Sequence, residues 1–305
     1  MNKKTLIIPI LLLVLTACTL GGGQGERYTG TDGVDISLVS SQPPQTVYDN
    51  TEFPISVRVT NNGVHDITDE DNPIIISSNL ASAYHIEPLT EGALDKREVI
   101  LEGRRRADRG ERTTLLLGQF RTANVDRTLQ RGSEEVIIDA CYPYKTSFTG
   151  TICAENSFSL TDTSICTPRE VYRYRSQGAP VAVTEVKPLL TPTGTNVEGV
   201  TEFTPEYVIT VQNRGDGTPS ISGENKCDSP ETQNAVELSA TLDGRSLDCG
   251  EGKIELSRGQ GDITCTLEGD TPALRSNYQA LLDAEVEYDY TTSTSKTLQV
   301  QARQR

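Results

Sequence analysis

Apolar and polar residues alternate through two matching stretches of this chain. Residues 53–63 read FPISVRVTNNG, with Ile55, Val57 and Val59 on one side. Residues 207–215 read YVITVQNRG, with Tyr207, Ile209 and Val211 on one side. A period of two predicts strands that lay one face on a core. Each stretch runs into Val-x-Asn-x-Gly, where the Asn and Gly are expected to supply a positive-φ turn. Upstream of each lies another predicted strand, over 34–38 and over 181–186. Pro43 and Pro44 follow the first of these, and Pro188 and Pro192 the second.

The later parts of the two stretches also match. Arg109-Gly110 leads into Thr113–Leu117, and Arg258-Gly259 leads into Ile263–Leu267. Tyr142-Pro143-Tyr144 precedes Gly150-Thr151-Ile152, and Tyr288-Asp289-Tyr290 precedes Lys296-Thr297-Leu298. The Ser/Thr-rich pieces between, KTSFTG and TTSTS, are read as hairpin loops. Four landmarks in one order predict a duplication, with the copies joined where Pro168, Gly178 and Pro180 punctuate the chain. The expected fold is all-β: two tandem immunoglobulin-like β-sandwich domains, 33–166 and 180–305, with a linker over 167–179.

Composition sharpens this picture. Val, Ile and Thr recur in short runs, while Trp is absent and Phe occurs five times. That mixture suits many short strands. The formal net charge of −15 argues against nucleic-acid binding, which draws most of its affinity from a basic footprint.

The first residues carry a different pattern. Lys3 and Lys4 precede an apolar run from Leu6 to Leu15, too short to span a bilayer comfortably, so residues 1–17 are expected to be a secretory signal peptide. The run ends in Leu15-Thr16-Ala17-Cys18. This resembles the lipobox of prokaryotic lipoproteins, which implies a lipid on Cys18. Residues 18–32 would then be a lipidated terminus and a Gly-rich tether (Gly21-Gly22-Gly23-Gln24-Gly25). The implied location is the extracellular face of the cell membrane, or secretion if the lipobox is not used. Setting Cys18 aside leaves Cys141, Cys153, Cys166, Cys227, Cys249 and Cys265 as disulfide candidates, an even number with fifteen possible connectivities. The hairpin reading places Cys141 opposite Cys153. Cys249 and Cys265 could bridge adjacent strands, and elimination leaves Cys166 with Cys227.

The alternating strand, the Asn-x-Gly and the Gly-Glu or Gly-Gln turn into a further strand resemble the CARDB-type domains of archaeal and bacterial surface proteins. The resemblance implies immunoglobulin-like sandwiches with a role in adhesion, partner binding or spacing. The disulfide candidates depart from that family's pattern, as does the lack of an Asn-Glu-x-Asn-Asn stretch.

No enzyme is expected. The two histidines, His65 and His85, stand beside no G-x-S-x-G or H-E-x-x-H pattern, and no cofactor is implied. Asp66, Asp69, Glu70 and Asp71 offer enough hard oxygens for Ca²⁺, although the plainer reading is a solvated acidic loop. Arg104, Arg105, Arg106 and Arg109, with Arg112 beyond them, are the basic concentration in an acidic chain, and could grip an anionic partner. The expected partners are the membrane, through the lipid, and another surface protein or glycan. An alternative is a lipoprotein subunit or accessory factor of an envelope transport or assembly complex.

Overall fold

The computed structural model describes residues 29–80, 86–105, 109–123, 131–154, 166–195, 201–222, 233–267 and 278–303. Among these the regular elements are all strands. The first half contains β1 (Val34–Leu38), β2 (Thr46–Tyr48), β3 (Glu52–Asn61), β4 (Ile74–Leu80), β5 (Ile86–Pro88), β6 (Arg97–Val99), β7 (Arg112–Thr122) and β8 (Arg131–Ala154). The second contains β9 (Tyr172–Arg173), β10 (Val181–Thr195), β11 (Thr201–Asn213), β12 (Thr218–Ser220), β13 (Ala235–Leu242), β14 (Arg245–Asp248), β15 (Lys253–Glu255), β16 (Gln260–Leu267) and β17 (Tyr278–Gln301).

The predicted alternation holds where it was read. In β1 and β3, Val34, Ile36, Ile55, Val57 and Val59 are buried, as are Tyr207, Ile209 and Val211 in β11. β3 sits between β1 and β7, and β11 between β10 and β16. The facing strands are β4 with β8 and β13 with β17. The inward side chains form one apolar cluster, giving a sandwich-like arrangement.

One feature overturns the hairpin reading. β8 is a single strand from Arg131 to Ala154, and β17 is a single strand from Tyr278 to Gln301. The two pair antiparallel over their whole length, joining the halves in one sheet. KTSFTG and TTSTS are therefore strand interior. In β8 the even positions stay inward without a break, through Tyr142, Tyr144, Thr146, Phe148 and Ile152. The polar residues between them face out and pair across the strands: Thr149 with Asp283 at 2.6 Å, Ser293 with Asp139 at 2.5 Å, and Lys145 with Glu287 at 2.6 Å. Thr has high strand propensity, so a Ser/Thr run with alternate burial extends a strand.

The disulfides follow from this ribbon. Cys141 and Cys153 lie on one strand, about 40 Å apart at 3.3 Å per residue, so the expected Cys141–Cys153 bond does not form. Cys153 bonds Cys166 instead, with Cα atoms 5.8 Å apart, which also overturns Cys166–Cys227. Cys141 is disulfide-bonded as well; Cys227 lies outside the described residues. Cys249–Cys265 forms as expected, one position beyond the Asp248–Thr266 pair of β14 and β16.

Segment 167–179 is tied down on both sides. Tyr172 in β9 accepts a hydrogen bond from Cys153 N–H at 2.9 Å, and the Tyr174 ring meets Phe148 edge-on at 4.7 Å. The side chain of Gln177 bonds both the N–H and the carbonyl of Val183.

Candidate functional site

Four tyrosines mark the centre of the β8–β17 ribbon. The register sets Tyr142 opposite Tyr290, Pro143 opposite Asp289 and Tyr144 opposite Tyr288, so a local two-fold axis passes by Pro143 and Asp289. The rings pack at 5.8 to 6.1 Å between centroids, the range of favourable aromatic pairs. Their hydroxyls meet backbone groups of both halves in matching pairs. Val34 N–H donates to the Tyr142 hydroxyl at 3.0 Å, and Val181 N–H donates to that of Tyr288 at 3.3 Å. His65 N–H donates to Tyr144 at 3.3 Å, and Gly217 N–H to Tyr290 at 2.9 Å. Burial pushes the Tyr144 and Tyr290 hydroxyls up to about 12, and those of Tyr142 and Tyr288 well above their ordinary value.

The Asn-x-Gly turns beside this cluster work differently from the sequence expectation. Neither Gly63 nor Gly215 has positive φ. Asn61 Oδ1 accepts from Gly63 N–H at 3.2 Å while its Nδ2 donates to His65 O at 2.8 Å. Asn213 does the same with Gly215 and Gly217, at 3.2 and 2.8 Å. Glycine is required by proximity: a Cβ on Gly63 would lie 1.8 Å from the Tyr144 hydroxyl oxygen, and one on Gly215 would lie 2.4 Å from that of Tyr290.

A polar groove of about 510 Å³ opens on the outer face of β1, β3 and β7. Strand register builds it. Asp35, Thr60 and Arg112 form one cross-strand row, and Ser37, Arg58 and Thr114 the next. Arg109 closes one end. Its loop is held on the sheet by Asn61 N–H donating to Glu111 O at 3.0 Å. The close approach demands Gly110, where a Cβ would fall 1.5 Å from Asn61 O. Arg58, Arg109 and Arg112 are exposed. None of them has a hydrogen-bond or ion-pair partner among the described residues. Through Asp35 and Asn62 the groove continues into a second recess of about 270 Å³ between the halves, lined by Asp32, Arg214, Asp216 and Tyr290. Burial and the charges of Asp216 and Asp32 raise the Asp35 carboxyl above its ordinary value.

The structure divides the arginine concentration that the sequence presented as one. Arg104 donates to Thr29 O and fixes the entering chain. Arg105 pairs with Asp66 at 2.5 Å. Arg106 lies outside the described residues. Of the three that are described, Arg109 turns to the groove, where Arg112 and Arg58 join it. Arg58 had no sequence signal beyond its outward place in an alternating strand.

The acidic loop is engaged locally. Asp66 accepts Gly103 N–H at 2.8 Å with one oxygen and pairs with Arg105 through the other. Asp69 closes a turn on Asp71 N–H at 3.0 Å, and Glu70 is exposed. Among the described residues no acidic, His or Cys group is arranged to hold a metal ion. The His65 ring lies edge-on to Tyr144 at 5.3 Å, and burial lowers its pKa. Cys18 and His85 lie outside the described residues.

No known family model matches the chain, and no curated protein does. Among solved structures, a chain described as BspA_C_WT is 8% identical, covering 88% of this chain and 99% of its own length at a TM-score of 0.17. BspA_C_mut is 7% identical, covering 90% and 99%, also at 0.17. "Complete structure of manganese lipoxygenase of Gaeumannomyces graminis and partial structure of zonadhesin of Komagataella pastoris" is 12% identical, covering 87% and 92%, at 0.13. Similarity at these TM-scores carries no argument about the fold or function of this chain.

Proposed function

We propose that this protein is a non-catalytic surface module. A lipid on Cys18 holds it to the outer face of a membrane, and two immunoglobulin-like halves present their outer faces for adhesion, partner binding or spacing. The observation that carries this reading is the construction of the scaffold. Two similar sets of strands are joined by one long antiparallel ribbon, and the described disulfides Cys153–Cys166 and Cys249–Cys265 suit an oxidising compartment. Such a body favours the display of surface residues over domain closure around a substrate. Its acidic charge keeps copies apart.

The test is made in cells that produce the protein. External protease should cleave it on intact cells, and Cys18→Ser should release it into the medium. A Cys18→Ser protein that stays with the membrane removes the lipid anchor. Protection from external protease removes the surface location. Stoichiometric co-purification with a membrane complex would instead favour the accessory-subunit alternative.

A further inference from the structure

The two halves repeat their turns, register and tyrosine contacts closely enough to compare surfaces position by position. Asn61 and Asn213 hold equivalent turns, so counting back along the strands sets Thr210 at the place of Arg58. Each pairs with the first and third strands of its half: Arg58 with Ser37 and Thr114, Thr210 with Glu185 and Asp262. Gln260 opposes Gln212 as Arg112 opposes Thr60. The register shifts the sequence match of Arg109-Gly110 with Arg258-Gly259 by one residue: Asn213 N–H donates to Gly259 O where Asn61 N–H donates to Glu111 O, so Arg258 falls at the place of Gly110 and Ser257 at the place of Arg109. The second half thus makes the same strands with no arginine at any of the three places. It puts Glu185 and Asp262 where the first half has Ser37 and Thr114. The scaffold itself does not require Arg58, Arg109 or Arg112.

We propose that the groove lined by Arg58, Arg109 and Arg112 binds an acidic oligosaccharide through its sulfate or carboxylate groups. Three guanidinium groups gathered with no partner among the described residues repel one another, and a multiply charged anion relieves that repulsion. Arginine forks bind planar or tetrahedral oxoanions through two parallel hydrogen bonds. Ser37, Thr60 and Asn62 supply donors and acceptors suited to sugar hydroxyls between the charged groups. The volume lies within the usual range for a ligand site, roughly 300–1,000 Å³. Among the described residues the groove lining contains no aromatic ring and no apolar side chain. That disfavours a neutral sugar held by stacking, and equally a peptide held by hydrophobic anchors. Arg104 and Arg105 are already committed within the fold and take no part.

This inference names a ligand class for the surface module and rests on that reading only for where the ligand is met. Binding is measured in solution, so loss of the anchor and failure of the groove give separate results. The full chain in detergent is titrated by calorimetry with a heparin-derived hexasaccharide, an oligogalacturonate hexamer and uncharged maltohexaose. A polyglutamate peptide serves as the fourth probe. Saturable binding of at least one acidic hexasaccharide is expected, weakening as salt is added, with none for maltohexaose. The R58S/R109S/R112S variant should bind at least roughly tenfold more weakly, the loss expected for charge-assisted hydrogen bonds. Its melting temperature should hold, since the three side chains are exposed and unpaired among the described residues. The R169S/R175S/R258S variant removes equal charge from segment 167–179 and the second half and should bind like the parent. The proposal falls if neither acidic hexasaccharide binds, if the groove variant binds unchanged, or if the control variant loses as much. Tighter groove-dependent binding of polyglutamate than of both saccharides overturns it in favour of a peptide partner.

Discussion

The two halves agree inside and differ outside. Around the ribbon centre, Asn61, Gly63, Tyr142 and Tyr144 have Asn213, Gly215, Tyr288 and Tyr290 as counterparts, with the same hydrogen-bond partners in kind. At the edges the likeness ends. In the first half the strand beyond β7 is β5, whereas in the second β14 pairs with β16. A tight turn at Asp243 and Gly244, both with positive φ, brings the chain from β13 to β14. At matched outer positions the first half carries Arg58, Arg109 and Arg112, where the second has Thr210, Ser257 and Gln260, and the second half has Glu185 and Asp262 in place of Ser37 and Thr114. The difference follows from what burial demands. A backbone N–H removed from water must keep its partner, at a cost of about 1–3 kcal/mol if it does not. A solvated position carries no such condition and is free to acquire a task.

The largest expected effect tests whether the shared centre behaves as one unit. The four tyrosine hydroxyls are raised by burial in the folded protein, while an unfolded tyrosine titrates near 10. The folded state holds these protons more tightly, so their contribution is fully present below about pH 10 and is lost as pH rises above it. Each tyrosine costs roughly 1.4 kcal/mol per pH unit in that window, and four together about 5.5 kcal/mol per pH unit. Against an ordinary stability of about 5–15 kcal/mol, the protein should unfold in one transition, beginning above pH 10. Tyrosinate absorbance and far-ultraviolet circular dichroism should change together. Two separated transitions would mean that the halves fail independently despite the ribbon.

A smaller effect separates the two equivalent asparagines. Asn61 is fully buried, and its Nδ2 also reaches Leu101 O at 3.3 Å. Asn213 is half-buried and accepts a hydrogen bond from the Tyr290 hydroxyl at 3.0 Å. Asn61→Ala should therefore cost about 2–3 kcal/mol and Asn213→Ala about 1–2, since solvent can replace part of what the second loses. Urea unfolding of both variants checks the order. Equal losses would show that the extra burial at Asn61 has no energetic weight.

Most strands and the matching Asn-x-Gly turns of the two halves were legible because alternation and Asn-x-Gly are local signals. The ribbon was missed because hydroxyl-rich segments resemble loops in composition. The even positions argue against a loop, in an unbroken inward pattern from Tyr142 through Thr146 and Phe148 to Ile152. That one misreading produced the mistaken Cys141–Cys153 pairing, since residues assigned to opposite arms of a hairpin lay on one strand. The arginine site was legible only in part. Arg104, Arg105 and Arg109 are neighbours in sequence, yet the first two are consumed by Thr29 and Asp66. Arg58 reaches the groove through cross-strand register, which no local pattern encodes.

The smallest effect concerns Asp35, the one acidic side chain among the described residues of the groove. Asp35 stands where the second half has Ala182, because each is one position into its strand and opposes Thr60 or Gln212. Burial, then Asp216 and then Asp32 raise its carboxyl above the ordinary 3.8. A raised carboxyl means that the folded state favours the protonated form, so stability from this group declines as pH climbs through that range and ionised Asp35 opposes folding at neutrality. Asp35→Asn should give a small rise in melting temperature at neutral pH, and none in acid below the ordinary carboxyl value. The same change should strengthen binding of the acidic hexasaccharides, because it removes a negative charge from the groove. A tighter complex with unchanged melting would confine the role of Asp35 to the groove. Weaker binding would mean that its carboxylate instead orients an arginine.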